Sequence, residues 1–369
     1  MKTLHYENAL ALLQKLIAVP SFSKEEDQSA SVIADFFAAK NHPVQRFGNN
    51  LLASAKKTDA KKPTLLLNSH HDTVRPAAGW TKDPFAPLIE DGKLYGLGSN
   101  DAGASLCALT AAFLHFAEKE ELPFNLLLAA TAEEEISGRN GITSLLPELG
   151  EVHAAIVGEP TGMQLAVAEK GLLVLDACVR GKAGHAAREE GDNAIYKALP
   201  VIEWFRDFRF PKKSKWLGET KMSVTMLSAG SQHNVVPDEC RFTVDVRVTD
   251  ACTHEEALAI IRSHVSCELV PRSMRLQSSF ISETHPLVLA GKNCGMICFG
   301  SGTLSDQALL PFPSVKTGPG DSARSHTADE FIFLHELKNG IEKYIALIEE
   351  TGRLMNTANQ PAQKTTIDS

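Results

Sequence analysis

Three short runs, Thr64-Leu65-Leu66-Leu67, Phe124 to Ala130 and Ala154 to Val157, are apolar almost throughout, and each breaks off at a cluster of polar residues. They are too short for helices and show no polar alternation, so they predict strands buried on both faces. Helical patterns lie around them: Tyr6 to Val19, Lys24 to Lys40 and the Ala-rich Asp101 to Glu118. In the second of these, Ser23 stands at the N-cap and Glu26 at the capping-box position. Strands covered by helices in this alternation predict an α/β domain with a mainly parallel sheet, whose sites form at the carboxyl ends of its strands.

From about Gly171 the texture changes. Leu172 to Arg180, Met222 to Leu227, Cys240 to Val248 and Glu268 to Gln277 alternate, with helical stretches at Asp192 to Phe208 and Thr253 to Val265. That order, βαββαβ, predicts a ferredoxin-like α+β unit with an antiparallel sheet. After Thr284-His285-Pro286 the buried α/β pattern returns and ends in a predicted helix from Phe331 to Ile348. The expected organisation is a discontinuous catalytic domain (1–170 and 282–350), an inserted unit (171–281) and a polar, disordered tail (351–369).

A length of 369 residues suits two such domains, and the net charge of -8 argues against general binding to nucleic acid or to an anionic membrane. Seven cysteines without a Cys-x-x-Cys pair read as reduced thiols in mostly apolar segments. Met1 to Leu16 has amphipathic spacing and carries Glu7, unlike a signal peptide, and no apolar run approaches the ~20 residues of a membrane span. The expectation is a soluble, cytoplasmic protein.

The polar clusters carry the chemistry. In Asn68-Ser69-His70-His71-Asp72 a histidine and an aspartate two apart offer a metal ligand and a carboxylate to orient its ring, although such a triplet alone more often marks only a polar loop. Asp101, in Gly96-Leu97-Gly98-Ser99-Asn100-Asp101-Ala102-Gly103, is either a helix cap or a carboxylate able to bridge two cations. The glycines there lack the spacing of a nucleotide fingerprint. Glu133-Glu134-Glu135 is costly at a buried strand end unless cations compensate, with a solvated helix start as the alternative. Glu159, in Gly158-Glu159-Pro160-Thr161, and His326 complete a mixed nitrogen and oxygen set that suits zinc and admits cobalt or manganese.

This ordered series, His-x-Asp, Gly-x-x-Asp, Glu-Glu, Gly-Glu-Pro-Thr and a late histidine, resembles the zinc aminoacylase, carboxypeptidase and desuccinylase superfamily over nearly the whole chain. The resemblance implies two zinc ions, replaceable by cobalt, one held by His70, Asp101 and Glu159 and the other by Asp101, Glu135 and His326. It implies that Asp72 orients His70, that Glu134 is the general base, and that the Asp101–Ala102 peptide is cis. Gly181-Lys182-Ala183-Gly184-His185 resembles the loop whose histidine polarises the substrate carbonyl, often across a dimer interface. Asn234-Val235-Val236-Pro237-Asp238 and Asp245-Val246-Arg247 resemble the segments whose Asn and Arg bind the substrate carboxylate. Unlike many members, the chain has no Lys-Gly pair after Asp101.

The loops around His70 and Asp101 are most similar to a bacterial acetylornithine deacetylase subgroup. The implied reaction is hydrolysis of an N-acetyl or N-succinyl amino acid such as ornithine or citrulline, in arginine biosynthesis, with a homodimer through the inserted unit among the implications. A dipeptidase or a succinyl-diaminopimelate desuccinylase would use the same metal site. A metal-binding interaction protein on a decayed scaffold is the non-enzymatic alternative, which an intact Glu134 and His185 argue against.

Overall fold

The computed structural model describes residues 2–188 and 190–358. The chain separates into two compact units. One runs to Val167 and includes Ile281–Phe299 and the chain from Ser305 on; the other holds Ala168–Phe280 and Gly300–Leu304. The short return of Gly300–Leu304 to the second unit has no signature in the sequence. Its physical basis is visible at Gly300, where any Cβ would lie 2.3 Å from the Trp216 carbonyl oxygen.

The sheet of the first unit runs Val44–Phe47, Asn50–Ser54, Asn125–Thr131, Thr64–His70, Ala154–Gly158, Ser314–Thr317 and Leu165–Glu169. Its central pairings are parallel and its outer ones antiparallel. All of Thr64–His70, Asn125–Thr131 and Ala154–Gly158 is buried, with Leu65, Leu66 and Leu67 fully so. Burial on both faces is what continuous apolar strands require, and the helices Lys2–Ile17, Ala104–Ala117 and Leu334–Ala358 pack together over the sheet. The register pairs His70 with Thr131, so these neighbouring strands release their polar loops at one edge.

The second unit has an antiparallel sheet ordered Lys221–Ala229, Glu239–Val248, Gly171–Arg180, Glu268–Pro271, with helices Ala194–Asp207 and His254–His264. This is the ferredoxin-like order. Alternation puts Leu173, Leu175, Val244 and Val246 in a core with Phe205 and Ile261, while Lys221–Ala229 is an exposed edge. Thr253 and Glu256 form a capping box on the second helix.

Several expectations are corrected. Ser23 and Glu26 do not form a capping box: the helix is Asp27–Ala39 and has no side-chain cap. Phe331–Phe333 is a strand paired with Lys93–Tyr95, since its aromatic rings pack on Tyr95 and under Arg324, and the helix begins only at Leu334. That helix continues to Ala358, past the expected start of the tail, because Thr351 and Gly352 are buried and the Thr351 hydroxyl donates to the Leu347 carbonyl. The rest of the expected tail, 359–369, lies outside the described residues, as does Met1. All seven cysteines are free, three of them buried and four half-buried. Among the described residues no helix is long and apolar enough to cross a membrane.

Candidate metal centre

His70 closes its strand. Its Nδ1 lies 2.9 Å from the Asp72 carbonyl oxygen and 3.4 Å from Asp72 Oδ1, which leaves Nε2 as the outward-facing nitrogen. That Nε2 is fully buried and has no hydrogen-bond partner, although Asp101 Oδ1 is 3.4 Å away, Glu159 Oε1 3.7 Å and Glu134 Oε2 3.8 Å. An orphaned, buried imidazole nitrogen facing carboxylate oxygens is expensive by itself, and a divalent cation shared with the Asp101 and Glu159 oxygens would satisfy it.

The atoms of His70, Asp101 and Glu159 that could hold a cation lie within 4.8 Å of one another, and so do those of Asp101, Glu135 and His326. His326 Nε2 is 2.9 Å from Glu135 Oε2 and 3.6 Å from Asp101 Oδ2. The two groups share Asp101, whose oxygens face one histidine each. The donor set fits a pair of cations bridged by one carboxylate.

Local backbone devices and a shared carboxylate place these residues. Asp101 lies in the wide turn Ser99–Gly103 that opens the Ala104–Ala117 helix, and its peptide bond to Ala102 is cis. The turn is entered through Gly98 at φ +75, where a Cβ would meet Thr73 Cγ2 at 2.7 Å. Asp72, wholly buried, accepts N–H groups from Glu134 (3.0 Å) and Glu135 (3.2 Å) and the Ser23 hydroxyl (2.7 Å). Asp72 therefore supports both the His70 ring and the backbone of the glutamate loop.

The three consecutive glutamates diverge. Glu133, at φ +54, turns its carboxylate to the Asn140 backbone N–H and side-chain amide, while its own N–H donates to Glu26. Glu135 faces His326, and Glu134 faces His70. His71 is not at the centre, since Ser29 and the Asn49 carbonyl engage its ring nitrogens.

Burial pushes the Glu134 carboxyl well above the usual range; His70 opposes this, and Glu159, Asp306 and Glu135 add to it. Burial likewise pushes Glu159 to about 8, against the pull of His70. The hydrogen bond to Glu135 raises His326 to about 9. Such crowding of carboxyl groups is what a metal pair relieves.

Sequence reasoning missed three supporting carboxylates. Glu26 accepts N–H groups from Lys24 and Glu133. Asp306 is buried, accepts the Thr131 hydroxyl at 2.8 Å and is raised to about 6 by burial. Glu330 is buried beneath the Asp101 turn and raised to about 7 by burial. Of the three only Glu26 carries a local signal, and that signal is the spacing of a capping box.

The remaining expected site residues belong to the second unit. His185 and Asn234 come together: Gly184–His185 pairs with Val235–Val236, the Ala186 N–H donates to the Asn234 carbonyl, and both side chains are exposed. Arg247 is elsewhere. It pairs bidentately with Asp245 at 2.8 and 3.0 Å, and eight residues of extended strand, roughly 26 Å, separate it from Glu239 at the Asn234 end.

The chain is 28% identical to the succinyl-diaminopimelate desuccinylase of Acidiphilium cryptum over 270 residues, covering 69% of this chain and 71% of that protein. It is 27% identical to that of Corynebacterium glutamicum over 347 residues, covering 87% and 90%. The fold matches aminopeptidase PepT from Bacillus cereus with a TM-score of 0.75 at 20% identity, covering 94% of this chain and 98% of that one. It also matches a dinuclear metal binding peptidase of the M20 family from Bacillus subtilis with a TM-score of 0.70 at 16% identity, covering 94% and 99%. With these likenesses and a family model matching residues 66–350, the chain is a metal-dependent amidohydrolase of peptidase family M20/M25/M40.

Proposed function

We propose that the chain hydrolyses the amide bond of an N-acyl amino acid at a pair of metal ions, zinc or cobalt. His70, Asp101 and Glu159 would hold one ion, and Asp101, Glu135 and His326 the other. The observation that carries this reading is the sharing of Asp101 by two ligand clusters, with Glu134 beside them and outside both. Such a pair, when bound, supplies Lewis acidity toward a water and toward the scissile carbonyl.

Glu134 is the general base in this reading. Its buried carboxyl, held well above the usual range, suits a group that takes a proton from the attacking water and returns it to the leaving amine. Asp72 holds the Glu134 backbone and the His70 ring in one arrangement, so the base keeps its place while the proton moves. His185 donates to the oxyanion, and Asn234 and Arg247 bind the substrate carboxylate. Because Arg247 and the end of its strand nearest Asn234 lie roughly 26 Å apart, a substrate that touches both Arg247 and the His185–Asn234 pair takes the pair from a second copy of the chain. That supports the homodimer reading.

A succinyl rather than acetyl group is favoured by the desuccinylase relatives, whose substrate carries an extra carboxylate. A second cation is then required. Arg180 is occupied by Glu239 and Glu268. Lys170 stands two residues from Leu172, which is in register with Arg247, itself directly opposite Lys221. Partial burial and the fields of Lys221 and Arg247 lower the Lys170 ammonium, the condition under which an incoming carboxylate is welcome. Ornithine or citrulline as the amino acid rests on the loop sequences around His70 and Asp101 alone.

The test is a steady-state panel on zinc- or cobalt-loaded protein, with N-acetyl and N-succinyl derivatives of ornithine, citrulline and diaminopimelate and with dipeptides. Amide hydrolysis with succinyl preferred over acetyl is expected. Turnover of dipeptides alone would overturn the acyl-amino-acid reading.

A further inference from the structure

Two of the proposed ligands, Asp101 and His326, lie outside the strand ends, on loops 225 residues apart in the chain, yet face one another at 3.6 Å. Their loops are laced together in both directions. The Glu330 carboxylate, 2% exposed, accepts the backbone N–H groups of Gly98 (3.1 Å), Asn100 (2.8 Å) and Asp101 (2.9 Å). In return the buried Asn100 side chain accepts the Asp321 N–H (3.0 Å) and donates to the Asp321 carbonyl (3.1 Å) and the Ser325 hydroxyl (3.3 Å).

We propose that Glu330 is a positioning residue: with Asn100 it clamps the Asp101 turn to the His326 loop, and so sets the metal affinity of the Asp101–Glu135–His326 cluster. The inference rests on the metal-centre reading above. A buried carboxylate has enough lone pairs for three donors, and a glutamine in its place does not. Whichever way that amide lies, its NH2 group faces a backbone N–H, donor against donor. The turn and the loop then separate. The Asp101–Glu135–His326 cluster has two of its three ligands displaced, whereas the His70–Asp101–Glu159 cluster has only one.

The test is zinc titration against a competing chelating dye, using the full chain. Native protein should take up two zinc ions; if it takes up none, both the metal-centre reading and this inference fall. Glu330→Gln is then placed in chains reduced to one cluster, by Glu159→Ala or by Glu135→Ala. In the Glu159→Ala chain, which keeps the His326 cluster, zinc affinity should fall ~10 to 100-fold, as for loss of other groups that orient ligands. In the Glu135→Ala chain the fall should be smaller. Asn100→Ala, which cuts the clamp from the other side, should reproduce this asymmetry and serves if the glutamine variant does not fold. Unchanged affinity in both backgrounds, or an equal fall in both, overturns the clamp while leaving the two-metal reading intact.

Discussion

The Glu134 backbone N–H donates to Asp72 Oδ1 at 3.0 Å, so the residue that orients His70 also anchors the proposed base. The side chain of Glu134 is left with its carboxyl near His70 and outside either ligand cluster. Glu134→Ala should therefore retain both metals and lose at least ~100-fold in kcat, the usual worth of a general base. Glu135→Ala should lose metal from one cluster. Metal analysis beside turnover separates the two, and equal metal loss in both variants would dissolve the distinction between base and ligand.

Metal removal is the broader test. Exhaustive chelation should abolish hydrolysis of an N-acyl amino acid, with zinc or cobalt restoring it. Full turnover in a preparation shown by elemental analysis to be metal-free would refute the two-metal reading.

The metal-free chain should lose stability as pH rises. Glu159, Asp306 and Glu330 titrate at about 8, 6 and 7 in the fold, above the ~4 of an unfolded carboxyl, so between those limits the folded state holds the extra protons. His326, raised to about 9, works in the same direction between ~6.5 and 9. Below ~6.5 the histidines that burial holds low, His71, His42 and His254 among them, work the other way, so the net fall in stability is expected from about pH 6.5 to 9, and bound zinc should flatten it. Thermal melts of metal-free and zinc-loaded protein across that range check it; a metal-free Tm that rises with pH would contradict the burial argument.

His185→Ala should lower kcat ~100 to 1,000-fold with metal content unchanged, the typical effect of removing an oxyanion donor. If a second copy supplies the pair, mixing inactive His185→Ala and inactive Glu134→Ala chains should regenerate activity, because a hybrid dimer has one intact site. Wild-type kcat in His185→Ala would remove the histidine from the mechanism. Failed complementation after verified subunit exchange would place it in the same chain as its metals.

The buried strands were legible because burial on both faces leaves a local mark, an unbroken apolar run ending in polar residues, and His70, Glu134, Glu135 and Glu159 stood at those endings. The ferredoxin-like order was legible from period-two alternation. Ser23 and Glu26 were misread for an equally local reason. Their spacing satisfies a capping box, but Ser23 donates to Asp72 and Glu26 accepts from Glu133, partners 49 and 107 residues away. Glu330 and Asp306 left no mark, since a lone acid in a sequence looks the same whether it will face water or three backbone donors.

The sequence by itself determined which residues could be strand, helix and ligand, since hydrophobic periodicity and donor chemistry are properties of short segments. Only the tertiary structure decided which carboxylates meet. Asp101 and His326 come together because buried N–H groups of the turn must find acceptors, and Glu330, about 230 residues further on, supplies them. The Glu133 carboxylate turns away because its backbone is held at positive φ against Gly138, where a Cβ would strike the Glu133 side chain at 2.0 Å. These are matters of three-dimensional packing and hydrogen-bond satisfaction, and no local pattern encodes them.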